Sequence, residues 1–225
     1  MRFAPEGTPF ILGATAIGVL LAIVMVRLLS LPAAIGITLG LFPAAFVAYF
    51  FRDPKREVTL PETAVLSPAD GRVTDIVEVD EPTLGGTCRR IGIFLSVFNV
   101  HVQRAPARGT VVRKEHRPGA FKAAWSTDIG TQNEHAILEM RTGEGTVMVR
   151  QIAGLIARRI LTDPNVGETL LRGDRIGLIR FGSRVELTVP LNWEITCKPG
   201  DRVSAARTQL AAQPVPGITQ TEATP

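Results

Sequence analysis

The sequence contains few of the residues on which several protein classes depend. Its two cysteines, Cys88 and Cys197, lie far apart and form no CxxC pair. Neither a disulfide framework nor a cysteine zinc site is therefore expected, and we predict no metal. Aromatic residues make up only 6% of the chain, with a single tyrosine, and no run of five basic residues occurs. Although the net charge is +4, surfaces that stack nucleobases are poorly supported, and we expect no nucleic-acid partner.

The apolar residues are concentrated near the amino terminus. Two blocks without a charged residue, 10–26 and 31–51, each approach the roughly 20 apolar residues that cross a bilayer. Proline and glycine within such blocks are tolerated in membrane helices. A cleaved signal peptide is disfavoured, because no small-residue cleavage site separates the two blocks. We predict a membrane-associated helical hairpin over residues 1–56.

Basic residues flank this hairpin. Arg52, Lys55 and Arg56 follow the second block directly, and Arg2 precedes the first. The positive-inside rule then places the carboxyl-terminal part on the cytoplasmic side of the cell (inner) membrane. Arg27, in the short outer turn, opposes this orientation mildly, so a hairpin that lies in the interface without spanning it stays open.

From about residue 58 the pattern changes to short apolar runs separated by turn dipeptides. Seven runs are typical of strands: 65–79, 90–102, 109–112, 136–140, 147–152, 175–189 and 193–197. A short helix is one interpretation of the apolar stretch 152–161. Three similar turns, at Asp70, Gly173 and Gly200, each lead into a strand pattern. Such repetition recurs in barrel-sandwich folds, and generic turns fit these three short matches as well. We predict a mainly β (α+β) fold with a barrel-sandwich-like domain over 57–212 and a disordered tail over 213–225.

One serine occupies an unusual position in this pattern. Alternation along 177–189 places Ser183 with Val185 on an apolar face, and Arg184 on the opposite face. A hydroxyl on an apolar face is either a hydrogen-bonded structural group or a placed nucleophile. The preceding Gly182 has no side chain to shield its carbonyl, which favours attack by the neighbouring hydroxyl. The glycine fits a β-bulge equally well.

The histidines and one aspartate supply candidate acid and base groups. Alternation along 98–103 places His101 on the polar face of a strand, where it can titrate near neutrality; a solvent-facing histidine fits as well. His116 and His135 form no metal-ligand spacing and receive no role. Asp70 suits a turn for local reasons, and its alternative role is to orient a histidine base.

Five sequence blocks together resemble the short bacterial and archaeal form of the phosphatidylserine decarboxylase proenzyme. In chain order they are SPADGRV (67–73), FLSVFNVHVQRAP (94–106), RPG (117–119), QIAGLIARR (151–159) and GLIRFGSRV (177–185). The resemblance extends from about residue 51 to about residue 205. It also includes the apolar hairpin.

The resemblance implies a self-processing, pyruvoyl-dependent carboxy-lyase. Ser183 would attack Gly182, and cleavage between them would give a 182-residue β chain and a 43-residue α chain that stay together as a heterodimer. Ser183 would become a covalent pyruvoyl group. This group would form a Schiff base with phosphatidylserine and release CO₂ and phosphatidylethanolamine, without a metal or pyridoxal phosphate.

The resemblance also implies roles for the acid and base candidates. His101 is the expected proton donor, and Asp70 is expected to assist the base that starts cleavage. Arg104 stands where long-form relatives carry a second histidine, so the identity of the cleavage base stays open. So does any higher oligomer. A membrane-tethered, non-enzymatic carrier or adaptor with a barrel-sandwich fold is the alternative function, and it predicts a chain that remains intact.

Overall fold

The structure, a computed structural model, describes residues 2–120, 133–154, 159–180 and 183–214. The chain forms two compact units. One contains the residues up to Lys55 together with Val97–Val100, and the other contains Arg56–Ser96 together with the chain from His101 onward. Of the predicted tail, 215–225 lie outside the described residues, whereas the backbone N–H of Gln213 still donates a hydrogen bond to Thr63.

The first unit is an antiparallel pair of apolar helices. A 3-10 turn, Pro5–Gly7, leads into α1, Thr8–Arg27, and α2 covers Ala33–Phe50. The helices approach each other through small residues: a Cβ atom added to Gly40 would lie 2.6 Å from the carbonyl oxygen of Gly18. Such close contacts are typical of helices that pack in membranes.

The outward faces of both helices are also apolar. Leu12 is 66% exposed and Phe42 is 69% exposed, whereas a helix at a soluble surface carries polar residues there. Both helices are long and apolar enough to cross a bilayer, with mean hydropathies of 2.5 and 1.9. Their length and composition are therefore compatible with membrane association.

The second unit consists of short strands in three antiparallel sheets. The strands of the described residues are β1 Ala64–Leu66, β2 Gly71–Glu81, β3 Gly86–Leu95, β4 Val102–Arg104, β5 Gly109–Arg117, β6 His135–Arg141, β7 Thr146–Ala153, β8 Ile160–Thr162, β9 Thr169–Leu170, β10 Arg175–Ile179, β11 Ser183–Pro190, β12 Glu194–Ile195, β13 Arg202–Val203 and β14 Gln209–Ala212. A second 3-10 turn, Pro82–Leu84, connects β2 to β3.

The large sheet has eight strands in the order β13-β2-β3-β11-β7-β6-β5-β9, and it curls into a half-barrel. Two small sheets, β4-β10-β8 and β1-β14-β12, accompany it. All three sheets contribute to one apolar core: Val185 and Leu138 come from the large sheet, Ile176 from β10, and Val65 and Leu210 from the third sheet. The predicted mainly β, barrel-sandwich-like fold with an apolar helical pair is confirmed.

Two of the similar turns share one geometry. Gly173 and Gly200 both have left-handed backbones, with φ of +84° and +96°, which glycine adopts without strain. In both turns the following aspartate, Asp174 or Asp201, accepts a hydrogen bond from the backbone N–H three residues earlier, at 2.7 and 2.9 Å. The turn at Asp70 differs, because its carboxylate binds other groups.

Several long strand predictions are wrong in their extent. The predicted strand 90–102 ends at Leu95, and β4 belongs to another sheet; the run 175–189 likewise divides into β10 and β11 in different sheets. Apolar residues continue through both breaks, so each run resembles a single strand in the sequence. The helix predicted over 152–161 is also wrong at both ends, since β7 reaches Ala153 and β8 begins at Ile160; residues 155–158 lie outside the described part.

Candidate functional site

The three predicted site residues lie where the chain enters strands. Ser183 is the first residue of β11, Asp70 directly precedes β2, and His101 directly precedes β4. In the large sheet, Ser183 pairs with Leu95 at the end of β3. Because β2 is the next strand beyond β3, the beginning of β2 lies about two strand spacings, roughly 10 Å, from Ser183. Ser183 and Asp70 thus lie at one end of the sheet.

Ser183 is fully buried on the core face of a central strand. Val185 and Leu187, which alternate with it, belong to the apolar core. Its Oγ has no hydrogen-bond partner among the residues that the structure describes. A buried hydroxyl without a hydrogen bond lowers the free energy of unfolding by about 1–3 kcal/mol. The interpretation as a hydrogen-bonded structural serine therefore finds no support among the described residues. Gly182 lies outside the described residues.

His101 is also fully buried. It was predicted on the polar face of a strand, and this placement is wrong: the chain leaves β3 at Leu95, and His101 lies outside any strand. The carbonyl oxygen of His101 accepts hydrogen bonds from Gln103 Nε2 at 2.7 Å and from the backbone N–H of Ile179 at 3.4 Å. Ile179 precedes Ser183 by four residues, a span of at most about 14 Å.

A chain of buried amides supports this position. Gln151 Nε2 donates to Gln103 Oε1 at 2.9 Å, and Thr162 Oγ1 donates to Gln151 Oε1 at 2.7 Å. Gln151 also pairs with Val185, two residues after Ser183. The amides therefore connect the backbone of His101 to the strand of Ser183. Alternation along β7 carries one sequence signal for this network: Gln151 is a polar residue in register with the core-facing positions Val147, Val149 and Ala153.

The carboxylate of Asp70 is held by a cation and a backbone amide. Arg56 Nη2 lies 2.9 and 2.8 Å from its two oxygens, and the backbone N–H of Ala205 donates to Oδ1 at 2.8 Å. Both side chains of the ion pair are largely buried. The charge of Arg56, counted above as a basic residue beside the hairpin, is thus balanced within the fold. Orientation of a histidine by Asp70 stays a prediction.

The opposite face of the large sheet is charged and buried. Arg184 and Glu186 are fully buried, although alternation alone gave no reason to expect a covering over this face. Arg184 Nε donates to Glu186 Oε1 at 2.9 Å. Burial lowers the pKa of Arg184, but Glu186 and Asp75 outweigh this effect and raise the pKa above its ordinary value. The guanidinium therefore stays charged.

Further arginines converge on the same carboxylate. Arg150 Nη1 lies 3.4 Å from Glu186 Oε2 and Arg90 Nε lies 3.7 Å from Oε1. Arg150 also contacts Glu81 at 2.9 Å. Glu186 is therefore the carboxylate that the guanidinium groups of Arg184, Arg150 and Arg90 share.

The other two histidines have separate environments. His135 is buried, and its Nδ1 lies 2.7 Å from the carbonyl oxygen of Asn133. Burial lowers the pKa of His135, so the ring is neutral at pH 7. His116 is exposed and lies 3.3 Å from Glu134.

Arg104, at the position where long-form relatives carry a second histidine, donates to the carbonyl oxygen of Gly173 at 3.1 Å.

The fold and this site define a class: a β-sheet protein with an apolar helical pair and a buried serine at the start of a central strand. Comparison with known proteins is more specific. The sequence model of the family described as phosphatidylserine decarboxylase matches residues 44–211.

Individual relatives agree with this match. The chain is 45% identical to the phosphatidylserine decarboxylase proenzyme of Symbiobacterium thermophilum over 213 residues. The matched region covers 94% of this chain and 95% of the relative. It is 44% identical to the proenzyme of Salinibacter ruber, over 80% of this chain and 81% of the relative. It is 40% identical to the proenzyme of Geotalea daltonii, over 92% of this chain and 94% of the relative. The chain belongs to the phosphatidylserine decarboxylase family.

Proposed function

We propose that this chain is a self-processing phosphatidylserine decarboxylase that cleaves itself between Gly182 and Ser183. One observation supports the cleavage most directly. Ser183 is the first residue of a central strand, and its buried Oγ has no hydrogen-bond partner among the described residues. Membership of a family whose relatives are named proenzymes supports it independently. A hydroxyl in this state suits a residue that is converted to another group.

The cleavage uses the chain's own atoms and one water molecule. The Ser183 hydroxyl loses its proton to a base and adds to the carbonyl carbon of Gly182; the C–N bond then breaks, which leaves an ester and a free amine. Loss of the α-hydrogen of Ser183 expels the Gly182 carboxylate by β-elimination. Water hydrolyses the resulting enamine, by way of its imine, to a ketone and releases ammonia. The products are a 182-residue β chain and a 43-residue α chain.

The sheet holds both products together as a β/α heterodimer. β11, which belongs to the α chain, pairs with β3 through eight residues and with β7 through six. Both neighbours belong to the β chain. Because β11 is a central strand, the cut at its first residue leaves these ladders in place.

Ser183 and His101 are the residues that we propose for the second reaction. The pyruvoyl ketone at position 183 would supply an electron sink for the pair released with CO₂ from the substrate's amino-acid head group. His101 would hold the proton that replaces the carboxylate, since a histidine exchanges protons near neutral pH. The amides of Gln103 and Gln151 would fix its backbone, as their buried contacts indicate.

The substrate we propose, phosphatidylserine, is an anionic membrane lipid. The apolar helical pair would keep the enzyme at the membrane, and the basic residues Arg2, Arg52 and Lys55 would favour the cytoplasmic side. The product would be phosphatidylethanolamine, in phospholipid biosynthesis.

The test compares two buried serines. Ser183→Ala should give one full-length band on a denaturing gel and no CO₂ release, whereas the unmodified chain gives two bands. Ser67 provides the control, because it is equally buried but its Oγ donates to the carbonyl oxygen of Ala69 at 2.7 Å. Ser67→Ala should still be cleaved. An unmodified chain that stays intact would support the carrier alternative, and decarboxylation by Ser183→Ala would end the proposal.

A further inference from the structure

We propose that Arg184 is a positioning residue that anchors the amino terminus created by cleavage, a role that rests on the proposed function. Arg184 would be the second residue of the α chain, next to the position of the ketone. Its side chain is fully buried. It binds groups on the other product of the cleavage.

The guanidinium of Arg184 reaches across the sheet to β2. Nη1 donates to Thr74 Oγ1 at 2.8 Å, and Nη2 donates to Asp75 Oδ1 at 2.8 Å. Nε donates to Glu186 within its own strand. Charge-assisted hydrogen bonds of this kind are stronger than bonds between neutral groups. Two of the three partners, Thr74 and Asp75, belong to the β chain, so these contacts join the two products.

Gly92 in the intervening strand β3 makes this reach possible. A Cβ atom at Gly92 would lie 2.1 Å from Arg184 Nη2 and 2.5 Å from Cζ, so any side chain there would displace the guanidinium. The register of β2 against β3 also shifts between Val73 and Asp75. Thr74 is therefore an extra residue in the register of β2 against β3, and both Thr74 and Asp75 reach the same guanidinium.

Cleavage changes what this anchor must do. Before cleavage residue 183 is bonded covalently to residues 182 and 184, and afterwards only to residue 184. Terminal residues of a strand fray readily. A fully buried guanidinium bound to three side chains at the second residue opposes that fraying, so residue 183 stays directed into the core.

Hydrogen exchange can separate this role from a general contribution to stability. The experiment would measure amide exchange in residues 185–187 of Arg184→Met and of the unmodified sequence. Each would be measured in the cleaved form and in the uncleavable Ser183→Ala background. Arg184→Met should accelerate exchange at least tenfold in the cleaved form and less than threefold in the uncleaved chain. An equal acceleration in both forms would mean that Arg184 is merely structural, and would overturn the proposal.

Turnover gives a second readout. With kcat expressed per ketone titrated by a hydrazide, cleaved Arg184→Met should show at least a tenfold lower kcat and a KM within twofold of the unmodified enzyme. An unchanged kcat per ketone would overturn the proposal. Arg89→Met is the control, because Arg89 lies on β3 and only approaches the exposed Glu78 at 3.8 Å; both of its readouts should be unchanged.

A milder variant covers the case in which Arg184→Met is not cleaved. Thr74→Val keeps the shape of the side chain but removes the hydroxyl that binds Nη1. It should accelerate exchange in residues 185–187 of the cleaved form more than in the uncleaved form, and equal effects would overturn the anchor. If the unmodified chain is never cleaved, the proposed function fails first. If that chain is cleaved and active but the Arg184 and Thr74 variants behave like it, only the anchor fails.

Discussion

Glu186 offers a direct test of the buried charge cluster. Its carboxylate is fully buried and lies 2.9 Å from Arg184, 3.4 Å from Arg150 and 3.7 Å from Arg90. Glu186→Leu keeps a side chain of similar size but leaves these guanidinium groups without their shared acceptor. Removing one partner of a buried ion pair costs about 3–5 kcal/mol. For a chain of this length that loss lowers the melting temperature by about 6–20 °C.

The assay uses the uncleavable Ser183→Ala background, so that a single chain unfolds. Thermal unfolding of the full-length, detergent-solubilised protein is followed by tryptophan fluorescence, to which the buried Trp193 contributes. Glu78→Leu is the control. Glu78 is exposed and approaches Arg89 no closer than 3.8 Å, so this substitution should lower the free energy of unfolding by less than about 1 kcal/mol. Equal shifts for Glu186→Leu and Glu78→Leu would refute the reasoning.

Three further predictions address other parts of the chain. Gly40→Leu should lower the temperature at which the helical circular dichroism signal is lost, because its side chain would meet Gly18, whereas Gly13→Leu should not, since a Cβ there meets nothing within 4 Å. Burial lowers the pKa of His135 from 6.5, so the unfolded chain binds the proton more tightly; the free energy of unfolding should fall as the pH drops below about 6.5, and less so in His135→Gln. Burial raises the pKa of Cys197 to about 11, so at pH 8 this thiol should react with a disulfide reagent far more slowly than a free thiol, and rapid labelling would contradict the assignment.

The sequence was sufficient for features that depend on local pattern. The helical pair follows from two uncharged apolar blocks, and the strands follow from alternation. The placement of Ser183 on the core face also follows from period-two alternation, because residues 183, 185 and 187 of one strand must face the same side.

Features that depend on long-range contact could not be predicted in this way. Alternation gave no sign that Arg184 and Glu186 are buried, because the covering of a sheet face is a tertiary property. Pairing of Arg56 with Asp70 crosses 14 positions of sequence, and the approach of Gln103 to Gln151 crosses 48. His101 was misplaced for a related reason: apolar residues continue along 90–102 where the chain leaves one sheet and enters another.

Intact mass spectrometry of the purified chain tests the central claim most directly. The account predicts two chains, residues 1–182 and residues 183–225, the shorter of which carries a ketone in place of its terminal amine. It also predicts that borohydride adds two hydrogen atoms to that fragment. A single 225-residue chain that borohydride leaves unchanged would contradict it.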